Sequence, residues 1–186
     1  MENSQPVRRR RIKHPLRYVV IALCIAAFVL VNMAIIFALS EESKEESGDR
    51  STGVTAFFVR ILYPDYDELD ENGVVEAIAT THMYVRKAAH FLEYALLGFL
   101  SAGLLLFLRR YMYKRNIRYW VTWVIPTVFC LLYAISDEVH QIFSERGPSA
   151  KDVLLDFAGA CFGICLIHGI TGIVRAAIRR RKRIGR

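Results

Sequence analysis

Disulfides, β-strands and familiar catalytic signatures are all missing from this chain. Its four cysteines (Cys24, Cys130, Cys161, Cys165) lie inside apolar runs, so no outward loop offers a disulfide partner. Cys161 and Cys165 are spaced C-x-x-x-C, not C-x-x-C, and all four read as small apolar residues of helix interiors. No stretch alternates apolar and polar residues as a half-buried strand does. There is no internal repeat, no H-E-x-x-H, no G-x-S-x-G and no phosphate-binding loop. The chain thus carries no signature of a zincin, a serine hydrolase or a nucleotide-binding enzyme.

Hydrophobicity is what the chain has in excess. Of its 186 residues 54% are hydrophobic, and mean hydropathy is +0.27. Four runs (18–39, 88–108, 119–135 and 153–174) are apolar over lengths that suit a bilayer, which takes about 20 residues per helix. The first run is uncharged and has a basic flank. Its Ala38-Leu39-Ser40 ending also fits a cleaved signal peptide, but its length points to an uncleaved anchor. The third run is the shortest and contains Pro126, which packed neighbours can accommodate.

The net charge of +7 is unevenly spread: 18 of the 25 Lys and Arg fall in an N-terminal tail, the 109–118 loop and a C-terminal tail. The positive-inside rule places these three segments in the cytoplasm and the 40–87 and 136–152 segments outside. The expected architecture is an all-α polytopic membrane bundle of four transmembrane helices. It divides into a basic cytoplasmic tail (1–17), a transmembrane domain (18–174) and a second basic cytoplasmic tail (175–186). The tails serve topology and attract anionic membrane lipids. No nucleic-acid partner is expected.

Between the first and second runs, residues 40–52 are acidic and serine-rich, which predicts a solvated loop. Val54, Phe57, Phe58, Ile61 and Leu62 then recur at helical spacing, predicting an amphipathic outer-loop helix that ends at Tyr63-Pro64. Such a helix either lies on the outer bilayer surface or covers the bundle. An acidic turn (65–71) follows. From Gly73 a helical pattern runs unbroken into the second span.

Ionisable residues gather at the outer ends of the apolar runs, where charge is costly and is usually buried against partners. At about 100° per residue, Arg86, Lys87, His90, Glu93, Tyr94 and Ser101 fall within an arc of about 120°. The second span therefore carries one polar stripe. Arg86 and Lys87 can snorkel to the interface; Glu93 is too short and too deep to do so. On the third helix Tyr133, Asp137, His140 and Gln141 share a face, while Glu138 points about 100° away. Taken alone, those charges also fit a helix simply ending in water.

Ser149-Ala150-Lys151-Asp152, after Gly147-Pro148, reads as a helix-capping box, which accounts for Asp152. Asp156 lies one turn deeper on the same face, followed by Gly159-x-x-x-Gly163, a pattern that lets helices approach closely. Asp156 is expected to face a cation: Lys87, Arg146 or a protonated His90. Carboxylates and imidazole suit several divalent ions, but Lys87 and Arg146 would repel a cation, so no metal and no cofactor is expected.

These residues resemble the VanZ-like family of bacterial membrane proteins. The matching motifs are Lys87-x-x-His90-Phe91-x-x-Tyr94, Asp137-Glu138-x-x-Gln141-x-Phe143-x-x-Arg146, and Ser149-x-x-Asp152-Val153-x-x-Asp156-x-x-Gly159-x-x-x-Gly163. The end of the first span resembles the family's serine-rich segment, with Ser40-Glu41 where a Ser-Gln pair is common. The resemblance covers about residues 37–165. It implies a cell-envelope role, and the family's named member is associated with resistance to the glycopeptide teicoplanin.

Two functions follow as expectations. One is a membrane site acting on, or binding, a cell-wall precursor or lipid head group. His90, Glu93, Asp137 and Glu138 would supply acid–base chemistry, and Lys87, Tyr94, Gln141, Arg146 and Asp156 would hold the substrate. The other is a non-catalytic protein whose charged cluster binds a ligand or locks the helices together. Proton-coupled transport is the weakest reading, since nothing resembles a repeat or a broken-helix pair.

Overall fold

The computed structural model describes residues 15–41, 44–112, 117–141 and 149–184. The N-terminal tail through residue 14, Lys114, Arg115, Phe143, Arg146, Gly147-Pro148 and Arg186 lie outside the described residues. The described chain forms five helices and no strand. They are α1 (Pro15–Glu41), α2 (Lys44–Leu62), α3 (Glu71–Phe107), α4 (Val121–Gln141) and α5 (Ala150–Ile184), with a 3-10 turn at Tyr66–Glu68 and a π-helical turn at Leu108–Met112 closing α3. Four of them, α1, α3, α4 and α5, are long and apolar enough to cross a membrane.

Each of these helices is hydrophobic for a different audience. Phe28, Leu30, Leu92, Leu132, Leu154 and Ile173 are all exposed. A water-soluble protein rarely exposes so continuous an apolar surface; lipid is its natural solvent. The core is small and tight: Val29, Ile36, Tyr94, Leu97, Cys130, Ala134 and Ala160. Helix α3 is the hub and touches every other helix, with α5 as its principal partner.

The glycine pattern explains that partnership. A Cβ on Gly159 would overlap the Phe91 carbonyl, one on Gly163 the Ala95 carbonyl, and one on Gly98 the Ala160 carbonyl. The backbones of α3 and α5 are therefore in direct contact over about two turns, an approach only glycine permits.

Residues 40–52 differ from the solvated loop their composition suggests. The helix of α2 begins at Lys44 and runs through this acidic stretch into the amphipathic segment. Lys, Glu and Arg rank high in helix propensity, and the apolar helix that follows extends backward through them. The basic C-terminal segment is likewise helical as far as Ile184, with its cations at the end where the helix dipole favours them. Helix α3 starts at Asp70, whose carboxylate accepts the Gly73 N–H at 2.8 Å, an N-cap bond.

Pro126 sits buried inside α4 without breaking it. Its missing N–H frees the carbonyl of Thr122 four residues earlier. His168 of α5 takes that place, its Nε2 donating to the Thr122 carbonyl at 3.1 Å. That bond fixes the tautomer, so Nδ1 accepts from the Tyr119 hydroxyl at 2.9 Å. The imidazole also stacks on Trp123 with ring centroids 3.8 Å apart. One buried histidine thus repairs the proline defect and pins the start of α4 to α5.

Candidate functional site

At the other end of α4 the polar residues converge. Glu138 lies sixteen residues beyond Thr122, about 24 Å along the axis. There a cavity of ≈ 340 Å³ opens between α3, α4 and α5. Helix α3 contributes His82, Met83, Arg86, Lys87 and His90; α4 contributes Glu138 and Gln141. Ser149 and the first turns of α5, with Asp152, Leu155 and Asp156, complete it.

Charge is sorted by depth. Glu138 and Asp156 are 6% and 5% exposed and form the floor, while Lys87 and Asp152 are about half-exposed at the mouth. Glu138 is held in place by the Ser149 N–H, which donates to Oε2 at 3.1 Å. Asp156 Oδ1 has no hydrogen-bond partner among the described residues. Its electrostatic surroundings are Asp137, Asp152, Glu138 and Glu93. A buried carboxylate oxygen without a partner, on a residue that lines a cavity, is an acceptor still to be satisfied. Among the described residues no group of three His, Cys, Asp or Glu side chains is arranged to hold a metal ion.

Five of the residues singled out by sequence meet in this cavity: Lys87, His90, Glu138, Gln141 and Asp156. Lys87 pairs with Asp152, Nζ to Oδ1 at 3.8 Å, rather than with Asp156. Both side chains are about half-exposed, and Asp152 lies one turn before Asp156 on α5. Asp152 therefore does more than begin a helix, although the Ser149 carbonyl does accept the Asp152 N–H at 3.0 Å as the helix starts.

Three others lie outside the lining. Glu93 sits one turn deeper on α3, half-buried and within electrostatic reach of Asp156. Tyr94 is fully buried in the core, its ring centroid 6.1 Å from that of Tyr133. Its hydroxyl lies near Asp137 and Asp156 without a hydrogen bond of standard geometry among the described residues. Asp137 turns toward α1, where the Ser40 hydroxyl donates to Oδ2 at 2.7 Å. Three residues of the shared face of α4 meet α1, since the Tyr133 hydroxyl also donates to the Met33 carbonyl at 2.7 Å and His140 stacks on Phe37 at 4.3 Å, while the fourth, Gln141, lines the cavity. The 100° between Asp137 and Glu138 thus separates a helix contact from a cavity wall. Arg146 lies outside the described residues.

Sequence reading missed His82 as a lining residue. Its signal was available, since His82, Arg86 and His90 recur every four residues on one face of α3.

Comparison with curated proteins and with solved structures gave no match. The VanZ/LLP1 family profile matches residues 21–174, a stretch that reaches into all four membrane-length apolar segments and includes the Ser40–Asp137 contact and every lining residue of the cavity. On that match the chain belongs to the VanZ/LLP1 family.

Proposed function

We propose that the cavity receives the phosphate- or carboxylate-bearing head of an envelope lipid or lipid-linked cell-wall precursor, from the outer side of the membrane. The observation that carries this reading is the meeting of Arg86, Lys87 and His90 with Glu138 and Asp156 around one cavity of ≈ 340 Å³. A planar guanidinium beside an ammonium suits an anion at the mouth. The carboxylate floor suits hydroxyl or amine donors of the same head group. His90 and Glu138 are the groups that would move a proton.

The orientation rests on charge. Arg109, Arg110 and Arg118 flank the α3–α4 connection, and Arg175 and 179–183 end α5, all at the end of the bundle remote from the cavity. By the positive-inside rule that end is cytoplasmic, both termini with it, and the cavity faces out. Cell-wall precursors are exposed on that side, which is also where a glycopeptide such as teicoplanin acts. Reduced drug sensitivity is thus the phenotype that connects this site to the family's named member.

One observation favours a second role for part of the cluster. Asp137 is bonded to Ser40 and lies outside the cavity lining, so its carboxylate serves as a lock between α1 and α4. The deciding experiment measures stability and ligand binding together in Lys87→Gln and Asp156→Asn. Folded variants with lost head-group binding support the site. Variants that fail to fold in membranes would extend the lock reading to the whole cluster.

A further inference from the structure

A second cavity adjoins the first. It has a volume of ≈ 630 Å³, lies between α2 and α3, and is lined by Val59, Tyr66, Val75, Ile78 and Ala79, with the cation of Arg60 among its remaining walls. It is mostly apolar, and both volumes fall in the range of small-molecule sites, about 300–1,000 Å³. His82 lines both cavities, and its Nε2 is buried without a hydrogen-bond partner among the described residues.

One stripe of α3 joins the two. At about 100° per residue, Val75, Ile78, Ala79, His82, Arg86 and His90 fall within an arc of about 120°. From Val75 to His90 that stripe extends for about 22 Å. Along it the lining changes from aliphatic to cationic, with the carboxylates of Glu138 and Asp156 at the charged end. The far wall, α2, buries Thr55 and Val59 and exposes Phe57, Phe58 and Ile61 on faces turned away from them. That aromatic and aliphatic face suits a lipid leaflet, and it puts hydrocarbon beside the entrance to the apolar cavity.

We infer that the two cavities form one binding trough for an amphiphile: a phosphate at Arg86 and Lys87, hydroxyl donors on the head group meeting Glu138 and Asp156, and an acyl chain between α2 and α3. This inference rests on the head-group reading above and adds the tail. A free phosphate compound would fill only the charged half. An acylated one fills both and gains the burial of its methylenes. His82 stands where head and tail meet, with a nitrogen left to bond the ester or phosphate oxygens of the linkage.

The test holds the full chain in a detergent-free polymer scaffold and measures binding of two probes, glycerol 3-phosphate and dihexanoyl phosphatidylglycerol. The acylated probe should bind at least about tenfold more tightly. Ala79→Trp, which fills the apolar half from an exposed position on α3, should remove that gain and leave glycerol 3-phosphate unaffected. Ala56→Trp should do the same from α2. Equal affinity for the two probes, or a gain that survives both tryptophans, overturns the amphiphile assignment and leaves the head-group site standing. Unchanged binding of both probes to Lys87→Gln overturns the head-group reading itself.

Discussion

The Ser40 hydroxyl and the Asp137 carboxylate meet at 2.7 Å across 97 positions of chain, tying the end of α1 to the last turn of α4. Both residues are almost fully buried. Ser40→Ala should therefore destabilise the protein by about 1–3 kcal/mol, the usual consequence of leaving a buried acceptor unmet. Asp137→Asn keeps an acceptor for the serine and should be milder. The double variant should lose less than the sum of the two, with a coupling of at least about 0.5 kcal/mol. Thermal unfolding in detergent measures all three; strict additivity would show that the contact contributes nothing.

The glycines of α5 divide into two groups. Gly159→Ala and Gly163→Ala force a methyl against the carbonyls of Phe91 and Ala95. Each should be destabilised by about 1–3 kcal/mol or more, since backbone cannot swing aside as a side chain can. Gly169 and Gly172 have open space where a Cβ would stand. Alanine there should be neutral or stabilising by up to about 1 kcal/mol. Unfolding midpoints of the four single variants give the comparison directly.

His168 and Pro126 should be coupled. His168→Leu leaves the Thr122 carbonyl unmet and the Tyr119 hydroxyl without its acceptor, at a cost of about 2–4 kcal/mol. Pro126→Ala restores an N–H that can bond the Thr122 carbonyl within the helix. In the Pro126→Ala background the same His168→Leu change should therefore cost measurably less. Equal costs in the two backgrounds would mean that the imidazole acts through stacking on Trp123 alone.

Membrane orientation is open to a labelling test. With the four native cysteines replaced by alanine, Asp67→Cys should react with an impermeant thiol reagent added to intact cells. Lys182→Cys should react only after permeabilisation. The reverse pattern would turn the cavity toward the cytoplasm and remove the cell-wall precursor from consideration.

Much of this architecture was legible in the sequence because membrane helices obey few rules. Length and hydropathy placed the four spans. The Gly159 and Gly163 spacing announced the close approach of α5 to another helix, and the helical arc of α3 announced its polar face. Partners were less legible. The angle between Asp137 and Glu138 was readable, but not that α1 lies on one side and the cavity on the other, because helical periodicity gives directions and never neighbours. Charge alone offered Asp156 three partners, Lys87, Arg146 or a protonated His90, and could not show that Lys87 pairs with Asp152. His168 passed unnoticed because a lone histidine in an apolar run has no signature. Its reason for being there is a proline forty-two positions away.

The backbone contact between α3 and α5 also has a mechanical side. Helices that touch carbonyl to Cα cannot slide or part without breaking many contacts at once, so these two behave as a single rigid post. Both bear cavity walls, and the spacing between Lys87 and Asp156 is set by that post and stays constant. Any widening of the site must come from the walls not welded to it, α4 at Glu138 and α2 over the apolar half. Each of those walls bounds a different cavity, Glu138 of α4 the charged one and Val59 of α2 the apolar one.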